Sequence, residues 1–252
     1  MDTIILGGDA RMSALAALLG GRHVADAAVA RALLPGARTV VTHCPPKIGI
    51  SMEEILSSAS AEARIFLCGP GHSDGDGRCI DLWRDEDLLR ENARLTAEGA
   101  VAAAMRSGRR CIRGLPVMVV GWGRVGRALA ELLVAMGARV TVASRSETHR
   151  HRAIERGAEA VALENLPDAL PGMKLIFSTP PAPVLDAARL ERVDRDAMII
   201  DLASPPYGVD LSAAWRLGLR AWREPGLPGR YCPESAAAAL RDAMTQGRAE
   251  HD

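Results

Sequence analysis

Three glycines in the middle of the chain have the spacing of a dinucleotide-binding turn. Gly121, Gly123 and Gly126 lie between the apolar run 117–120, which is typical of a buried strand, and the apolar-periodic stretch 127–136, which is typical of a helix. In this setting Gly121 makes the tight turn, Gly123 lets a pyrophosphate approach the backbone, and Gly126 lets helix and strand pack closely. The strand and helix on either side favour dinucleotide binding over a merely structural turn.

The residues after the next predicted strand, 138–143, favour a nucleotide with a 2′-phosphate. Ser144, Arg145 and Ser146 follow that strand. An enzyme that uses NAD usually has Asp or Glu here, about twenty residues past the glycines, to bond the ribose 2′-hydroxyl. Hydroxyl groups and a guanidinium suit a 2′-phosphate, which a carboxylate would repel. We therefore predict NADP(H); the alternative is a solvated basic loop in an arginine-rich chain.

The composition is typical of a soluble globular protein with a sizeable core. The 252 residues can form two modest domains, and a formal net charge of zero argues against nucleic acid as the main partner. Five cysteines are scattered without a Cys-x-x-Cys pair, which argues against a metal site or a disulfide framework. The chain start does not resemble a signal peptide, and no apolar run is long enough to span a bilayer. We therefore expect a cytoplasmic protein that binds neither metal nor membrane.

Strand and helix patterns alternate along the whole chain. We predict strands over 3–6, 37–43, 63–68, 117–120, 138–143, 160–163, 175–178, 197–204 and 219–223, and helices over 12–19, 51–60, 88–107, 127–136, 147–156 and 233–245. This alternation predicts an α/β fold with two Rossmann-like parallel-sheet domains and a cleft between them. We place a substrate or partner domain at 1–112, ending in the long helix, and the NADP-binding domain at 113–252. Helix 233–246 is free to pack back on the first domain.

Ligands of such sheets bind beyond the carboxyl ends of the strands. Besides the three glycines, this rule selects as cofactor-binding residues Arg124, Val125, Ser144, Arg145, Ser146, Ser178, Thr179, Pro180, Leu202, Ala203 and Ser204. We expect Ser178, Thr179, Ala203 and Ser204 along the nicotinamide side, where they offer hydroxyls and backbone groups. Asp201 lies within a strand pattern, so we expect a hydrogen-bonded structural carboxylate, with a catalytic carboxylate as the alternative.

Polar residues also follow strand patterns in the first half of the chain. Asp9 is expected to cap the helix that begins after the first strand. Arg11, beside the same helix N-terminus, is a candidate for binding an anion. We expect His43 and His72 to be satisfied polar residues rather than catalytic groups.

Four separated motifs identify a family that this chain resembles. They are Leu-Thr-Ala-Glu-Gly at 95–99, Gly-Trp-Gly-Arg-Val-Gly at 121–126, Ile-Ile-Asp-Leu-Ala-Ser-Pro at 199–205 and Pro-Gly-Leu-Pro-Gly at 225–229. In this order they closely resemble the dipicolinate synthase A subunits of endospore-forming bacteria, and Gly-Gly-Asp-Ala-Arg at 7–11 fits the same family. The resemblance covers residue 87 to about residue 239 well and the first half in patches. The chain departs from the family pattern at two places. Ser178 stands where the family pattern leads us to expect Asn, and Pro206-Tyr207 replace a glycine-rich turn.

The resemblance implies a role in dipicolinate biosynthesis during sporulation. The family is implied to use NADP(H) to oxidise a dihydrodipicolinate-type product of the lysine pathway to pyridine-2,6-dicarboxylate. It works alongside a smaller, flavoprotein-like B subunit. A homodimer is the default oligomer for this architecture.

A substrate with two carboxylates calls for cations or N–H groups. Arg11 and Arg94 are our candidates, and Thr96 and Glu98 on the long helix would shape the pocket or shuttle a proton. The alternative for Arg94 and Glu98 is an ordinary exposed pair at i, i+4.

Four other functions are considered as alternatives. A 2-hydroxyacid dehydrogenase needs a proton acceptor, usually His, in its cofactor half, but the chain has no His between His151 and His251. A methylene-folate dehydrogenase or a shikimate-type dehydrogenase is also conceivable. The shikimate-type enzyme would need a Lys–Asp pair, and Lys47 lacks the surrounding pattern. A non-catalytic NADP-binding partner protein would keep the same glycines, because they show binding capacity and not turnover.

Overall fold

The chain forms two compact units. The computed structural model describes residues 3–69, 75–108 and 110–249, with side chains up to residue 246. One unit comprises Met1–Leu95 and Pro228–Asp252, and the other comprises Thr96–Leu227. His72 lies outside the described residues.

The first unit is built on a five-stranded parallel sheet. Its strands are β1 (Thr3–Leu6), β2 (Arg22–Val24), β3 (Thr39–Thr42), β4 (Arg64–Leu67) and β5 (Cys79–Asp81). Their order is β2-β1-β3-β4-β5, the doubly wound order found in flavodoxin-like folds. The topological switch point, where the strand order reverses, therefore lies between β1 and β3. Ligands of such sheets bind at this point. The sequence did not predict β2 and β5, because each is a three-residue edge strand with one buried residue, Val24 or Ile80.

Among the described residues, six α-helices belong wholly or partly to the first unit. They are α1 (Ala10–Leu19), α2 (Ala27–Leu33), α3 (Met52–Ser58), the beginning of α4 (Glu86–Ser107), the end of α10 (Leu227–Tyr231) and α11 (Pro233–Ala249). The Asp9 carboxylate accepts the backbone N–H of Met12 at 3.0 Å, as expected for the cap of α1. Ser51 and Glu54 form a reciprocal capping box at α3, which satisfies two backbone donors that the helix itself leaves unpaired.

The C-terminal helix α11 completes the core of the first unit. Its buried face contributes Ala237, Leu240, Ala243 and Met244 to a cluster with Ile5, Met12, Leu15 and Phe66. Residues from both ends of the described chain therefore share one hydrophobic core.

The second unit has a six-stranded parallel sheet. Its strands are β6 (Pro116–Val120), β7 (Arg139–Ser144), β8 (Glu159–Ala162), β9 (Leu175–Ser178), β10 (Met198–Asp201) and β11 (Arg220–Arg223). The order β11-β10-β9-β6-β7-β8 is that of a dinucleotide-binding Rossmann sheet, with its switch point between β6 and β9. Two parallel sheets with flanking helices confirm the predicted α/β fold class.

The helices of the second unit connect these strands. Besides the end of α4, they are α5 (Arg124–Ala135), α6 (Glu147–Glu155), α7 (Leu166–Ala169), α8 (Ala187–Leu190), α9 (Leu211–Arg216) and the start of α10 (Leu227–Tyr231). The four last-named helices were not predicted, because four to six residues are too few to show a helical period. Among the described residues, no helix combines the length and apolar character needed to cross a membrane.

Candidate functional site

The glycine turn after β6 requires glycine at two positions for different reasons. Gly121 has φ = 98°, in the left-handed region, and a Cβ there would stand 2.5 Å from Oγ1 of Thr179. Gly126 lies in the first turns of α5, where a Cβ would collide with the carbonyl oxygen of Gly121. The turn and the close packing of helix on strand are therefore both present, as the sequence pattern predicts.

Gly123 differs from Gly121 and Gly126, because open space lies over it. A Cβ built on this residue meets nothing within 4 Å, and its φ of −73° is ordinary for any residue. It is also the N-cap of α5, so no side chain occupies the N–H groups at the start of that helix. The residues present thus fit a pyrophosphate, which would approach the bare backbone of Gly123 at the positive end of the α5 dipole.

The loop after β7 is held by one arginine and exposes another. Nη1 of Arg150 donates to the carbonyl oxygens of Ser144 at 2.9 Å and Arg145 at 3.0 Å. Ser146 caps α6 by accepting the backbone N–H of His149 at 3.3 Å. The side chain of Ser144 is buried, whereas that of Arg145 is exposed. Arg150 therefore shapes the loop, and Arg145 is the side chain that can reach a ligand.

A basic groove of about 510 Å³ runs beside Gly123. It is lined by Trp122, Gly123, Arg124, Arg127, His149, Arg152, Glu155 and Arg156. Arg127 and Arg156 both approach Glu131, at 3.1 and 3.6 Å, so part of the positive charge is balanced locally. Four arginines against one lining carboxylate nevertheless favour an anionic ligand here.

The hydroxyl groups of Thr179 and Ser178, at the end of β9, both lie against neighbouring parts of the protein. Oγ1 of Thr179 donates to the carbonyl oxygen of Val120 at 2.9 Å and so joins the ends of β9 and β6. Ser178 is fully buried, and a Cβ on Gly208 would collide with its Oγ. In the described part of the chain this Oγ has no hydrogen-bond partner. We correct the expectation for Ser178: its hydroxyl packs against Gly208 instead of facing the nicotinamide side.

Asp201, at the end of β10, is a structural carboxylate. It accepts the backbone N–H groups of Ala203, Gly208 and Val209, each at 3.2 Å. Burial raises the pKa of Asp201, and these N–H groups and Arg223, at 3.6 Å, oppose that effect. The carboxylate thereby fixes the loop that contains three predicted rim residues: Leu202, Ala203 and Ser204.

A second polar cluster lies at the carboxyl ends of β1 and β3, within the first unit. Oδ2 of Asp9 lies 3.0 Å from Nε2 of the buried His43, whose Nδ1 lies 3.0 Å from the carbonyl oxygen of Cys68. His43 is thus a satisfied polar residue, as expected, but its partnership with Asp9 was not predicted. Only the strand order reveals it, because β1 and β3 are neighbours in the sheet although 35 residues separate their first residues, Thr3 and Thr39, in the sequence.

Arg11 adjoins this pair and has few hydrogen bonds of its own. Its Nη2 lies 3.8 Å from Oδ2 of Asp9 and 3.5 Å from Nδ1 of His43. Its Nε is buried and, among the described residues, has no partner. Burial raises the pKa of Asp9, but the bonds from His43 and Met12 and the charge of Arg11 outweigh it and hold that pKa well below the usual range.

The three candidates on α4 are less distinctive. Nη1 of Arg94 forms an exposed ion pair with Glu91 at 3.3 Å. The alternative expectation was that Arg94 pairs with Glu98 on the exposed face of the helix. It is wrong, because Arg94 pairs with Glu91, one helical turn earlier. Thr96 is half-buried and Glu98 is exposed.

Comparison with known proteins supports a dehydrogenase-type protein. Residues 103–211 match the Shikimate / quinate 5-dehydrogenase family. D-lactate dehydrogenase from Escherichia coli shares the fold with a TM-score of 0.61 at 14% identity, covering 97% of this chain and 95% of that one. The structural likeness shows a shared fold, and the family match over residues 103–211 indicates a dehydrogenase-type unit.

The dipicolinate synthase A subunits are more similar. The A subunit of dipicolinate synthase from Bacillus subtilis (strain 168) is 31% identical over 208 residues, which span 82% of this chain and 66% of that protein, slightly under two thirds of its length. The crystal structure of the corresponding protein from Bacillus halodurans has a TM-score of 0.80 at 24% identity, covering 97% of this chain and 96% of that one. The chain therefore belongs among the relatives of the dipicolinate synthase A subunits, which confirms the resemblance seen in the four motifs.

Proposed function

We propose that this protein is an NADP(H)-dependent dehydrogenase that oxidises a dihydrodipicolinate-type substrate to pyridine-2,6-dicarboxylate. The observation that carries the proposal is the glycine turn, in which Gly121 and Gly126 leave no space for a side chain while Gly123 stays open. That geometry fits a bound dinucleotide, and a structural turn alone would not need an uncovered Gly123.

The preference for NADP(H) rests on the loop after β7. Its exposed Arg145 and the hydroxyl of Ser146 can donate to a 2′-phosphate. The loop 144–146 carries no carboxylate that would bond the 2′-hydroxyl of NAD and repel that phosphate. Arg150 supports the same loop through two backbone carbonyls, so it would orient Arg145 without binding the nucleotide itself.

The substrate assignment rests on the related A subunits and on the chemistry of the reaction. When bound, NADP⁺ supplies the hydride acceptor. Oxidation of a dihydropyridine dicarboxylate produces an aromatic ring, so hydride loss has a large intrinsic driving force and no strong general base is required. The protein then contributes chiefly by holding the reacting carbon in place.

The two substrate carboxylates need cationic partners. Arg11 is the better candidate, because its guanidinium is near Asp9 and His43 without a short hydrogen bond to either. Arg94 would have to exchange its exposed ion pair with Glu91 for a substrate carboxylate. Thr96 and Glu98 on α4 are proposed to shape the pocket or relay a proton.

We also propose a partner and a location. The relative from Bacillus subtilis is by its name one subunit of a synthase, which implies a second chain in that protein. We propose that this protein likewise works with a flavoprotein-like B subunit and that it forms a homodimer in the cytoplasm. A non-catalytic NADP-binding partner protein is the competing proposal, because the glycine turn would look the same in it.

One assay separates these proposals. The product of dihydrodipicolinate synthase is supplied to the purified protein with NADP⁺ or NAD⁺, with and without a B subunit, and pyridine dicarboxylate absorbance is recorded. We expect NADP⁺-dependent absorbance in the wild type and a loss of at least tenfold in Gly123→Ala, whose Cβ occupies the pyrophosphate position. Product formation that needs the partner and does not depend on NADP⁺ would favour the non-catalytic role.

The match to shikimate / quinate 5-dehydrogenases favours one further candidate reaction. Both lysines of the chain argue against it. Lys47 is exposed in the first unit. Lys174 binds Asp194 at 2.9 Å and Asp196 at 2.8 Å, directly before β9 and so at the end of that strand opposite Thr179. Shikimate supplied with NADP⁺ should therefore give no NADPH, which is measured by its absorbance.

A further inference from the structure

We propose that Arg11, supported by Asp9 and His43, forms a carboxylate-binding subsite at the switch point of the first sheet. The identity of the ligand, a small aromatic or cyclic carboxylate, rests on the proposed function. Asp9 and His43 are positioning residues in this subsite, and Arg11 is the group that contacts the ligand.

The first argument concerns the unused donors of Arg11. A guanidinium has five N–H donors, and buried donors normally have partners. In the described part of the chain Arg11 approaches a nitrogen of His43 at 3.5 Å and an oxygen of Asp9 at 3.8 Å, and both distances are too long for a good hydrogen bond. Its buried Nε has no partner there. The side chain is only 12% exposed, so water has less access to it than to a surface arginine.

The second argument concerns charge. Both ring nitrogens of His43 lie 3.0 Å from oxygens, those of Asp9 and Cys68, so the ring is held in place between these two groups. Oδ2 of Asp9 lies 3.0 Å from Nε2 of His43 but 3.8 Å from Nη2 of Arg11, so Arg11 is not tightly paired with that carboxylate and can also contact a ligand. Asp9 nevertheless stays close enough to hold the guanidinium in place. An anion with paired oxygens matches the fork of an arginine.

The third argument concerns space and position. Gly8, in the loop between β1 and α1, is exposed, and a Cβ on it would meet nothing within 4 Å. Gly229 lies against the same cluster, where its Cβ would be 3.6 Å from Cβ of Arg11 and 3.7 Å from Cγ of Asp9. Gly229 therefore packs on one side of the cluster, and Gly8, directly before Asp9, leaves the loop backbone open to solvent. It also lies where sheets of this order bind ligands, beyond the carboxyl ends of β1 and β3.

The test measures binding of pyridine-2,6-dicarboxylate to the full chain by calorimetry, with the uncharged pyridine-2,6-dicarboxamide and inorganic phosphate as comparison ligands. We expect the wild type to bind the dicarboxylate and not the diamide. Arg11→Gln should weaken that binding roughly 10- to 100-fold, the usual effect of removing a charged hydrogen-bond partner, and Arg11→Lys should restore part of it. Arg31→Gln is the matched control, because Arg31 forms an exposed ion pair with Glu54 in the same unit.

The positioning role has its own readout. In turnover assays His43→Gln should raise the KM for the dihydro substrate several-fold with little change in kcat, because the ring positions Arg11 and does not touch the reacting atoms. A fall in kcat at unchanged KM would overturn that role. Arg11→Lys also covers the case in which Arg11→Gln fails to fold.

The possible outcomes separate this inference from the proposed function. Equal dicarboxylate affinity in the wild type and Arg11→Gln would overturn the subsite, even if NADP⁺-dependent turnover persists. Equal affinity for phosphate and the dicarboxylate would overturn the carboxylate assignment. Dicarboxylate binding that requires Arg11, in a protein that shows no NADP⁺-dependent turnover, would support the subsite and count against the proposed reaction.

Discussion

Gly126 packs so closely on Gly121 that any side chain at position 126 would collide with the carbonyl oxygen of residue 121. The contact brings the first turns of α5 against the end of β6. Gly123, two residues after Gly121, has the opposite surroundings, because nothing lies within 4 Å of the place where its Cβ would be. Because their surroundings differ, we expect separable roles for these two glycines: Gly126 in folding and Gly123 in binding.

This separation gives the first prediction. Gly126→Ala should lower the stability of the protein without cofactor by about 1–3 kcal/mol, because the added methyl forces α5 away from β6. Gly123→Ala should leave that stability unchanged and weaken NADP⁺ binding tenfold or more. Thermal melts without nucleotide and titrations with NADP⁺ distinguish the two effects. Equal melting temperatures for the two variants would contradict the packing account.

The second prediction concerns cofactor choice. Arg145→Gln should weaken NADP⁺ binding roughly 10- to 100-fold and leave NAD⁺ binding unchanged, because only NADP⁺ carries the phosphate that Arg145 would contact. Binding can be followed by quenching of Trp122, which is buried in the glycine turn, and Trp122→Phe identifies that signal. Arg139→Gln is the control, since Arg139 is exposed at the amino end of the same strand. Equal losses for both nucleotides would remove the argument for NADP(H).

The third prediction concerns pH. The pKa of Asp9 is held below its usual range, so its ionised form stabilises the folded state above the ordinary carboxylate pKa of about 4, and that contribution is lost as the pH falls. Asp9→Asn keeps a capping side chain but removes the charge beside His43 and Arg11. The melting temperature of the wild type should exceed that of the variant at pH 7, and the gap should shrink between about pH 5 and pH 3. A gap that stays constant over this range would contradict the account; Asp26→Asn, at the exposed cap of α2, serves as the control.

The fourth prediction concerns the loop after β10. Asp201→Asn should destabilise the protein by about 1–3 kcal/mol, because one acceptor oxygen is replaced by an amide NH₂ that faces backbone N–H groups. If Asp201 instead acted in catalysis, the variant would lose kcat at unchanged melting temperature. Denaturant titration together with steady-state kinetics distinguishes these outcomes. Asp210→Asn, at the exposed cap of α9, is the control.

The sequence predicted most of the second unit and less of the first. Buried strands such as β6 and β9 are apolar runs next to turn residues, so local pattern alone reveals them. The edge strands β2 and β5 carry too few buried residues to show a pattern. The same limit applies to the sites: the glycine turn is local in sequence, whereas the Asp9–His43 pair depends on the order of strands. The burial of Ser178 depends on Gly208, thirty residues later, and so was missed.

The return of α11 to the core of the first unit makes the second unit an insertion in the topological sense. A nonsense codon just after residue 232 would delete the residues of α11 that cover Ile5, Met12 and Leu15. The three covered residues lie more than two hundred positions before α11 in the sequence. All six strands of the second sheet would still be translated. Late truncation would thus damage the unit whose strands are translated first, because the core of that unit is incomplete until α11 has been synthesised.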